Sequence, residues 1–118
     1  MTILAKEDVK QIAETILKQL GGNKFCFMTD AKHLSYSTDE TGNPYLEFEF
    51  KGCKKANYCR ITLMPEDLYK LEFMKIFKHD FKKILIEEGI YDDMLYKIFE
   101  NFTGLATRIG KVFIVKKQ

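Results

Sequence analysis

The chain has 118 residues, of which 46% are hydrophobic and 31% are charged, a composition typical of one globular domain. Nineteen lysines and arginines against 17 aspartates and glutamates leave a net charge of +2, too small for a protein whose whole surface binds nucleic acid. No apolar run approaches the roughly 18 to 20 residues that span a bilayer, and charges interrupt the first 20 residues, where a signal peptide needs an apolar stretch. We therefore expect a single domain over residues 1–118, a cytoplasmic location and no membrane partner.

The cysteines predict neither a disulfide framework nor a metal site. Cys26, Cys53 and Cys59 are odd in number and form no CxxC pair, which favours reduced thiols. Zinc sites use close ligand pairs about two to four residues apart, and neither these thiols nor His33 and His79 provide such pairs. We expect no metal and no cofactor.

The most regular pattern lies near the start of the chain. From Ala5 to Leu20, apolar residues recur every three or four positions with charged residues between them, which predicts an amphipathic helix. Gly21 and Gly22 have the backbone freedom to end that helix. Because they follow a helix and do not precede one, they do not predict a phosphate-binding turn.

Several segments after the glycines have the patterns of strands. Phe25–Met28 is a short apolar run that we expect to pair with Lys32–Tyr36. Turn-forming residues over 37–44 predict an exposed loop. Alternation of apolar and polar residues over Tyr45–Phe50 and again over Tyr58–Leu63 predicts a hairpin.

The segment Leu68–Ile86 fits two patterns. Pro65, Glu66 and Asp67 before it are a plausible helix start, whereas its alternating apolar residues and the turn-forming residues 78–80 fit a β-hairpin. Periodicity alone leaves both interpretations open.

A second amphipathic helix is predicted between a capping aspartate, Asp92 or Asp93, and a terminating glycine, Gly104. Val112–Val115 is expected to form a last edge strand. The predicted fold is therefore a two-layer α+β domain with an N-terminal helix, an antiparallel sheet of about five to six strands and a C-terminal helix. The apolar stripe of the second helix consists of Leu95, Ile98, Phe99 and Phe102.

Short motifs occur in a fixed order along most of the chain. They are GGNKF at 21–25, MTDAK at 28–32, ITL at 61–63, DLY at 67–69, EF at 72–73, KI at 75–76, Tyr91, and TGLATR at 103–108. In this order and spacing they resemble small proteins encoded by phages, prophages and conjugative elements.

The resemblance implies a mobile-element origin and an accessory or counter-defence role in a bacterial host, with no catalytic residues. Similar proteins often have a glycine near Met74 and another near Lys78, which favours the hairpin for Leu68–Ile86, although this chain has neither glycine. They tend to end near Arg108, so residues 109–118 are expected to be a C-terminal extension. Arg108 is the one residue that the resemblance singles out, as a binding residue or as a structural one that bonds the helix C-terminal carbonyls or pairs with Asp92 or Asp93.

Two groups of basic residues mark a candidate binding surface, one around the loop Gly52–Asn57 and one around the turn at 78–80. If both turns lie at the same end of the sheet, they form a cationic surface for phosphates or for an acidic protein, with an aromatic ring to stack on a base. Lysines at such turns also keep a sheet edge solvated without any partner. The candidate residues are Lys51, Lys54, Lys55, Tyr58, Arg60, Lys78, Lys82, Lys83 and Arg108.

No catalytic activity is expected, because the sequence has no strained nucleophile turn and no oxyanion-type glycine cluster. Capping explains two of the adjacent acidic pairs, Glu66–Asp67 and Asp92–Asp93. We expect a non-catalytic accessory module that binds a host or phage protein, such as an inhibitor of a host defence or nucleic-acid enzyme. The alternative is an accessory protein that binds nucleic acid through the basic hairpin surface. The sequence leaves the oligomeric state open.

Overall fold

The computed structural model describes residues 5–107 and confirms the α+β class. No helix within these residues is both long and apolar enough to cross a membrane. Residues 109–118, Arg108 and the strand expected at Val112–Val115 lie outside the described residues. In chain order the elements are α1 (Lys6–Leu20), α2 (Gly22–Thr29), β1 (Lys32–Thr38), β2 (Pro44–Glu49), β3 (Tyr58–Leu63), β4 (Tyr69–Phe77), β5 (Asp80–Ile90), a 3-10 turn (Asp92–Met94) and α3 (Leu95–Thr103).

The five strands form one antiparallel sheet in the order β1-β2-β3-β4-β5, so each strand pairs with its neighbours in sequence. Leu46 lies opposite Ile61, and Ile61 lies opposite Leu71. Because residues opposite each other point to the same face, these side chains form one row, which is buried in the same core as the helices. We call this side the helix face. The opposite side carries no helix within residues 5–107, and we call it the open face.

The core between the two layers is built from phenylalanine rings. Phe99 of α3 lies at its centre, with its ring centroid 5.1 Å from those of Phe25 and Phe50 and 5.8 Å from that of Phe73. Edge-to-face contacts of this kind add to the burial of apolar area. The helix stripe predicted for α3 therefore holds that helix on the sheet.

The strand predicted at Phe25–Met28 is wrong, because these residues belong to α2. Gly21 adopts a φ of 136°, which turns the chain sharply, so that the two glycines end α1 and also begin α2. Phe25 is buried in the core, whereas Phe27, two residues later, is 80% exposed. Residues two positions apart would share one face of a strand, but they lie on different sides of a helix. Four apolar residues are too few to distinguish a helix from a strand. The strand at Lys32–Thr38 is present, but it pairs with β2.

The hairpin interpretation of Leu68–Ile86 is correct, with β4 and β5 joined by a tight turn. Lys78 in that turn has a φ of 56°, the left-handed region in which glycine is most at ease. The predicted cap at Asp92 or Asp93 is wrong, because both lie in the 3-10 turn and α3 begins without a side-chain cap. Gly104 ends α3 as predicted, and its N–H donates to the Glu100 carbonyl oxygen at 2.8 Å.

Candidate functional site

The hairpin of β4 and β5 extends beyond the rest of the sheet. The first residue of β3, Tyr58, lies opposite Met74, so the residues of the hairpin beyond Met74 have no strand of β3 beside them. Lys75–Lys82 forms this extension, which we call the arm. Its strands remain paired to the end, with Phe77 opposite Asp80.

The side chain of Asn57 attaches the base of the arm to the sheet. The Asn57 side-chain amide donates from Nδ2 to the Ile76 carbonyl oxygen at 2.8 Å and accepts at Oδ1 from the Ile76 N–H at 2.8 Å. The backbone N–H of Asn57 donates to the Met74 carbonyl oxygen at 3.0 Å. The amide thus replaces one further residue of β3, because it offers the same donor and acceptor that a strand would. It holds the arm in line with the sheet.

The arm has an apolar side and a basic side. Ile76 lies opposite Phe81 and Lys75 lies opposite Lys82, so each pair shares a side and the two pairs point in opposite directions. Ile76 and Phe81 project on the open face and are 38% and 57% exposed. Lys75 and Lys82 project on the helix face, together with Phe77, which is 49% exposed.

The two basic turns lie at the same end of the sheet, as the cationic-surface hypothesis required. The Lys75 Nζ donates to the Lys54 carbonyl oxygen at 3.0 Å, which joins the basic side of the arm to the loop between β2 and β3. Lys55 Nζ lies 4.4 Å from the centroid of the Phe102 ring, and Lys51 Nζ lies 3.7 Å from an Asp30 carboxylate oxygen. Five of the candidate residues lie in or beside these two turns: Lys51, Lys54, Lys55, Lys78 and Lys82.

Arg60 and Tyr58 lie elsewhere, in an ion network on the open face. Arg60 donates from Nε and Nη2 to one oxygen of Glu47 at 3.0 and 2.9 Å, and its guanidinium lies 4.0 Å from the centroid of the Tyr45 ring. Burial alone would lower the pKa of Arg60, but the bond and charge of Glu47 raise it. Burial, together with the same carboxylate, raises the pKa of the Tyr58 hydroxyl. These side chains are engaged within the sheet.

Lys83 also has a partner within the sheet. Its Nζ lies 3.0 Å from a carboxylate oxygen of Glu72, which is buried. Burying a carboxylate without a cation costs free energy, and Lys83 offsets this cost by compensating the charge of Glu72. In contrast, the ammonium groups of Lys78 and Lys82 make no ion pair with any residue between 5 and 107. These two lysines are therefore available to an external anion.

Burial makes two of the three thiols poor nucleophiles. Cys59 is fully buried beneath the helices, and burial, helped by the charge of Glu72, raises the pKa of its thiol well above the ordinary value. Burial also raises the pKa of Cys26. A protonated thiol is a poor nucleophile. Across the described part of the chain, no group of three or more His, Cys, Asp or Glu side chains is placed to hold a metal ion.

The exposed apolar residues of the arm were missed as site residues in the sequence. Phe77 and Phe81 were assigned only to strands, since a strand pattern does not reveal which face will be covered. The signal was present in Lys75–Lys82, where two phenylalanines and three lysines flank a turn. Asn57 was also missed, because its role depends on the offset between β3 and β4.

Over residues 5–107, fold and site together define an α+β protein in which three helices cover one face of a five-stranded antiparallel meander, and a hairpin arm projects from one end of it. Comparisons of the chain with protein-family models, with curated proteins and with solved structures found no match.

Proposed function

We propose that this chain is a non-catalytic protein-binding accessory module of a phage or other mobile element, and that the arm is its main contact with the partner. The observation that carries the proposal is the pair of exposed side chains, Ile76 and Phe81, on one side of an ordered projecting hairpin. Protein interfaces typically depend on a few aromatic and aliphatic anchors that enter a pocket of the partner.

The arm has the physical properties of such an anchor. Full burial of a Phe or Ile side chain is worth about 1.5–3 kcal/mol. Ile76 and Phe81 would therefore contribute favourable free energy to association when a partner covers them. The arm is also held by the Asn57 amide before it binds. Preorganisation of this kind reduces the entropy lost on association.

The lysines indicate an acidic partner surface. Four lysines lie on the arm or beside it: Lys54, Lys75, Lys78 and Lys82. The acidic residue next to the turn of the arm is Asp80, whose carboxylate accepts a hydrogen bond from the Phe81 N–H at 2.9 Å. Rim charges of one sign speed the encounter with a surface of the other sign. We therefore propose a partner with an apolar pocket inside an acidic rim.

The motif resemblance supports the biological setting of the proposal. We place the chain in the cytoplasm of a bacterial host, where a counter-defence role would make the partner a host defence or nucleic-acid enzyme. The chain would then act by occupying a surface of that enzyme.

Nucleic-acid binding is the second candidate, and one observation favours it. Phe77 lies on the basic side of the arm with Lys75 and Lys82, an arrangement of ring and cations that suits stacked single-stranded bases. It ranks second because Arg60 and Lys83, which this hypothesis also used, are engaged by Glu47 and Glu72.

The test is an affinity purification from a bacterial host lysate with two matched double variants. Ile76→Thr/Phe81→Thr removes the apolar side of the arm and keeps strand-forming residues. Leu34→Thr/Tyr36→Thr is the control, because these β1 residues are 38% and 41% exposed at the other edge of the sheet. We expect a specific protein to be retained by the wild type and by the control after nuclease treatment, and to be lost from the arm variant.

Two results would contradict this expectation in different ways. A protein partner that the arm variant retains would show that the arm is not the contact. Bound material that disappears on nuclease treatment, with affinity that falls steeply as salt rises, would favour the second candidate. Phe77→Thr should then abolish binding while Ile76→Thr leaves it intact.

A further inference from the structure

The last strand of the sheet, β5, has an open edge. It pairs with β4 on one side, and on its other side no strand lies beside it within residues 5–107. The strand is 11 residues long, and every residue from Asp80 to Gly89 except Leu85 is exposed. A long exposed edge is a template for pairing with another strand, and the sequence of β5 indicates which strand it would accept.

The charged residues of β5 stand at matching distances on either side of Leu85, with lysines on one side and glutamates on the other. Reading outward from this residue, an isoleucine stands on each side, followed by two lysines towards the N-terminus and two glutamates towards the C-terminus: the sequence over 82–88 is KKILIEE. When two such strands run antiparallel about a two-fold axis at Leu85, the lysines of each lie beside the glutamates of the other. Opposite charges placed across two strands stabilise the pair.

The register of β5 against β4 is compatible with this pairing. The register of β5 shifts between Lys83, which lies opposite Met74, and Leu85, which lies opposite Phe73, so Ile84 is one extra residue. A bulge of this kind sets two residues against one of the partner strand. With Ile84 left out of the count, Lys82 and Glu87 each lie two register positions from Leu85. Lys82 therefore comes level with Glu87 of the second copy.

Lys82 and Glu87 also project on the same side. Lys82 lies opposite Lys75, and Glu87 lies opposite Leu71, and both β4 residues belong to the helix face. The two-fold axis repeats the contact, so each dimer gains two Lys82–Glu87 pairs. On the open face, Ile86, which is 47% exposed in the single chain, comes level with Lys83 of the second copy.

We propose that two copies of this chain associate through their β5 edges to form a two-fold symmetric dimer with one continuous sheet. A two-fold interface must be self-complementary, and the opposite charges at matching distances on either side of Leu85 meet that condition. The tail would be a poorer partner for this edge. Residues 109–118 contain Lys111, Lys116 and Lys117 and no acidic residue, so a paired tail would offer no carboxylate to Lys82 or Lys83.

The dimer shares Lys82 with the proposed partner surface, but not the apolar anchors of that surface. It uses the edge of β5, whereas the partner contact uses the side chains of Ile76 and Phe81 on the open face. One can therefore fail without the other. If both hold, the dimer presents two arms, one at each end of the joined sheet.

The test is a charge-reversal and mixing experiment on the full chain, followed by sedimentation equilibrium over a wide range of concentration. Lys82→Glu sets the introduced carboxylate against Glu87 at both symmetric contacts, and Glu87→Lys sets lysine against lysine. Each single variant should raise the dimer Kd by about tenfold, since two exposed attractive pairs become two repulsive ones. An equimolar mixture of the two variants should recover the wild-type Kd, because every contact in the mixed dimer joins opposite charges.

Lys24→Glu is the matched control, an exposed lysine of α2 with the same change of charge, and it should leave the Kd unchanged. The proposal is overturned if the wild type is monomeric at every concentration, as it would be if the tail covered β5. It is also overturned if a dimer forms but the mixture of variants associates no better than either variant alone. Because each variant changes one exposed side chain, circular dichroism should show the same fold in all of them.

Discussion

At the scale of single residues, Asn57 shows how one side chain extends a sheet. Its amide forms two hydrogen bonds with Ile76 beyond the end of β3, and its backbone N–H continues the ladder to Met74. An amide is the one neutral side-chain group that offers a donor and an acceptor side by side. The order of the arm therefore depends on a residue of the neighbouring loop.

We expect Asn57→Ala to lower the free energy of unfolding by about 1–2 kcal/mol, since each hydrogen bond contributes roughly 0.5–1.5 kcal/mol. Amide hydrogen exchange at Ile76 should speed up, and chemical denaturation should report the global loss. Asn57→Asp is the matched variant, because its carboxylate still accepts from the Ile76 N–H but no longer donates to the carbonyl oxygen. Unchanged exchange at Ile76 in the alanine variant would show that the arm is held by its own pairing.

At the scale of elements, Phe99 of α3 connects the helix layer to the sheet. Phe99 contacts phenylalanines from α2, β2, the segment after β2, and β4. It is completely buried, in contrast to Phe27 on the outer side of α2. Two phenylalanines of the same chain thus have opposite roles.

Phe99→Ala should cost about 3–5 kcal/mol, because it removes buried area and leaves a cavity among rings that are attached to four different segments. Phe27→Ala should change the stability by less than about 0.5 kcal/mol. Urea denaturation of the two variants checks this contrast. A loss below about 2 kcal/mol for Phe99→Ala would mean that the surrounding rings collapse into the space.

At the scale of the whole molecule, stability should fall in alkaline solution. Burial raises the pKa of Cys59 above its ordinary value of 9.0 and that of Tyr69 above its ordinary value of 10.0. Above pH 9 the unfolded chain therefore releases protons that the folded chain retains. The contribution of these groups to stability is complete below about pH 8 and is lost as the pH rises through the raised values.

We expect the free energy of unfolding to decline from about pH 9 upward, by at most about 1.4 kcal/mol per pH unit for each group. Cys59→Ala should be less stable at neutral pH, because of the cavity, but should show a shallower decline between pH 9 and 10. Cys53→Ala is the control, since this thiol is only partly buried. Denaturation curves across this range measure the slopes, and identical slopes for Cys59→Ala and the wild type would refute the assignment.

The binding surface was only partly visible in the sequence. The two turns that carry its lysines lie at the same end of the sheet, because β2 and β4, which lead into them, run in the same direction. Arg60 and Lys83 were included for their charge alone, yet the register places them beside Glu47 and Glu72. Residues 13 and 11 positions apart meet only once strands pair, so no local pattern can show these ion pairs.

The sequence by itself determined the α+β class, α1, β2, β3 and the stripe of α3, because apolar residues at a regular period leave one local geometry that buries them. Tertiary structure decided the rest. Phe25–Met28 became helical because the turn at Gly21 brings Phe25 into the core, an outcome that four residues cannot encode. The arm projects because β4 and β5 continue past the start of β3, and its phenylalanines stay exposed because no other element within residues 5–107 reaches that far.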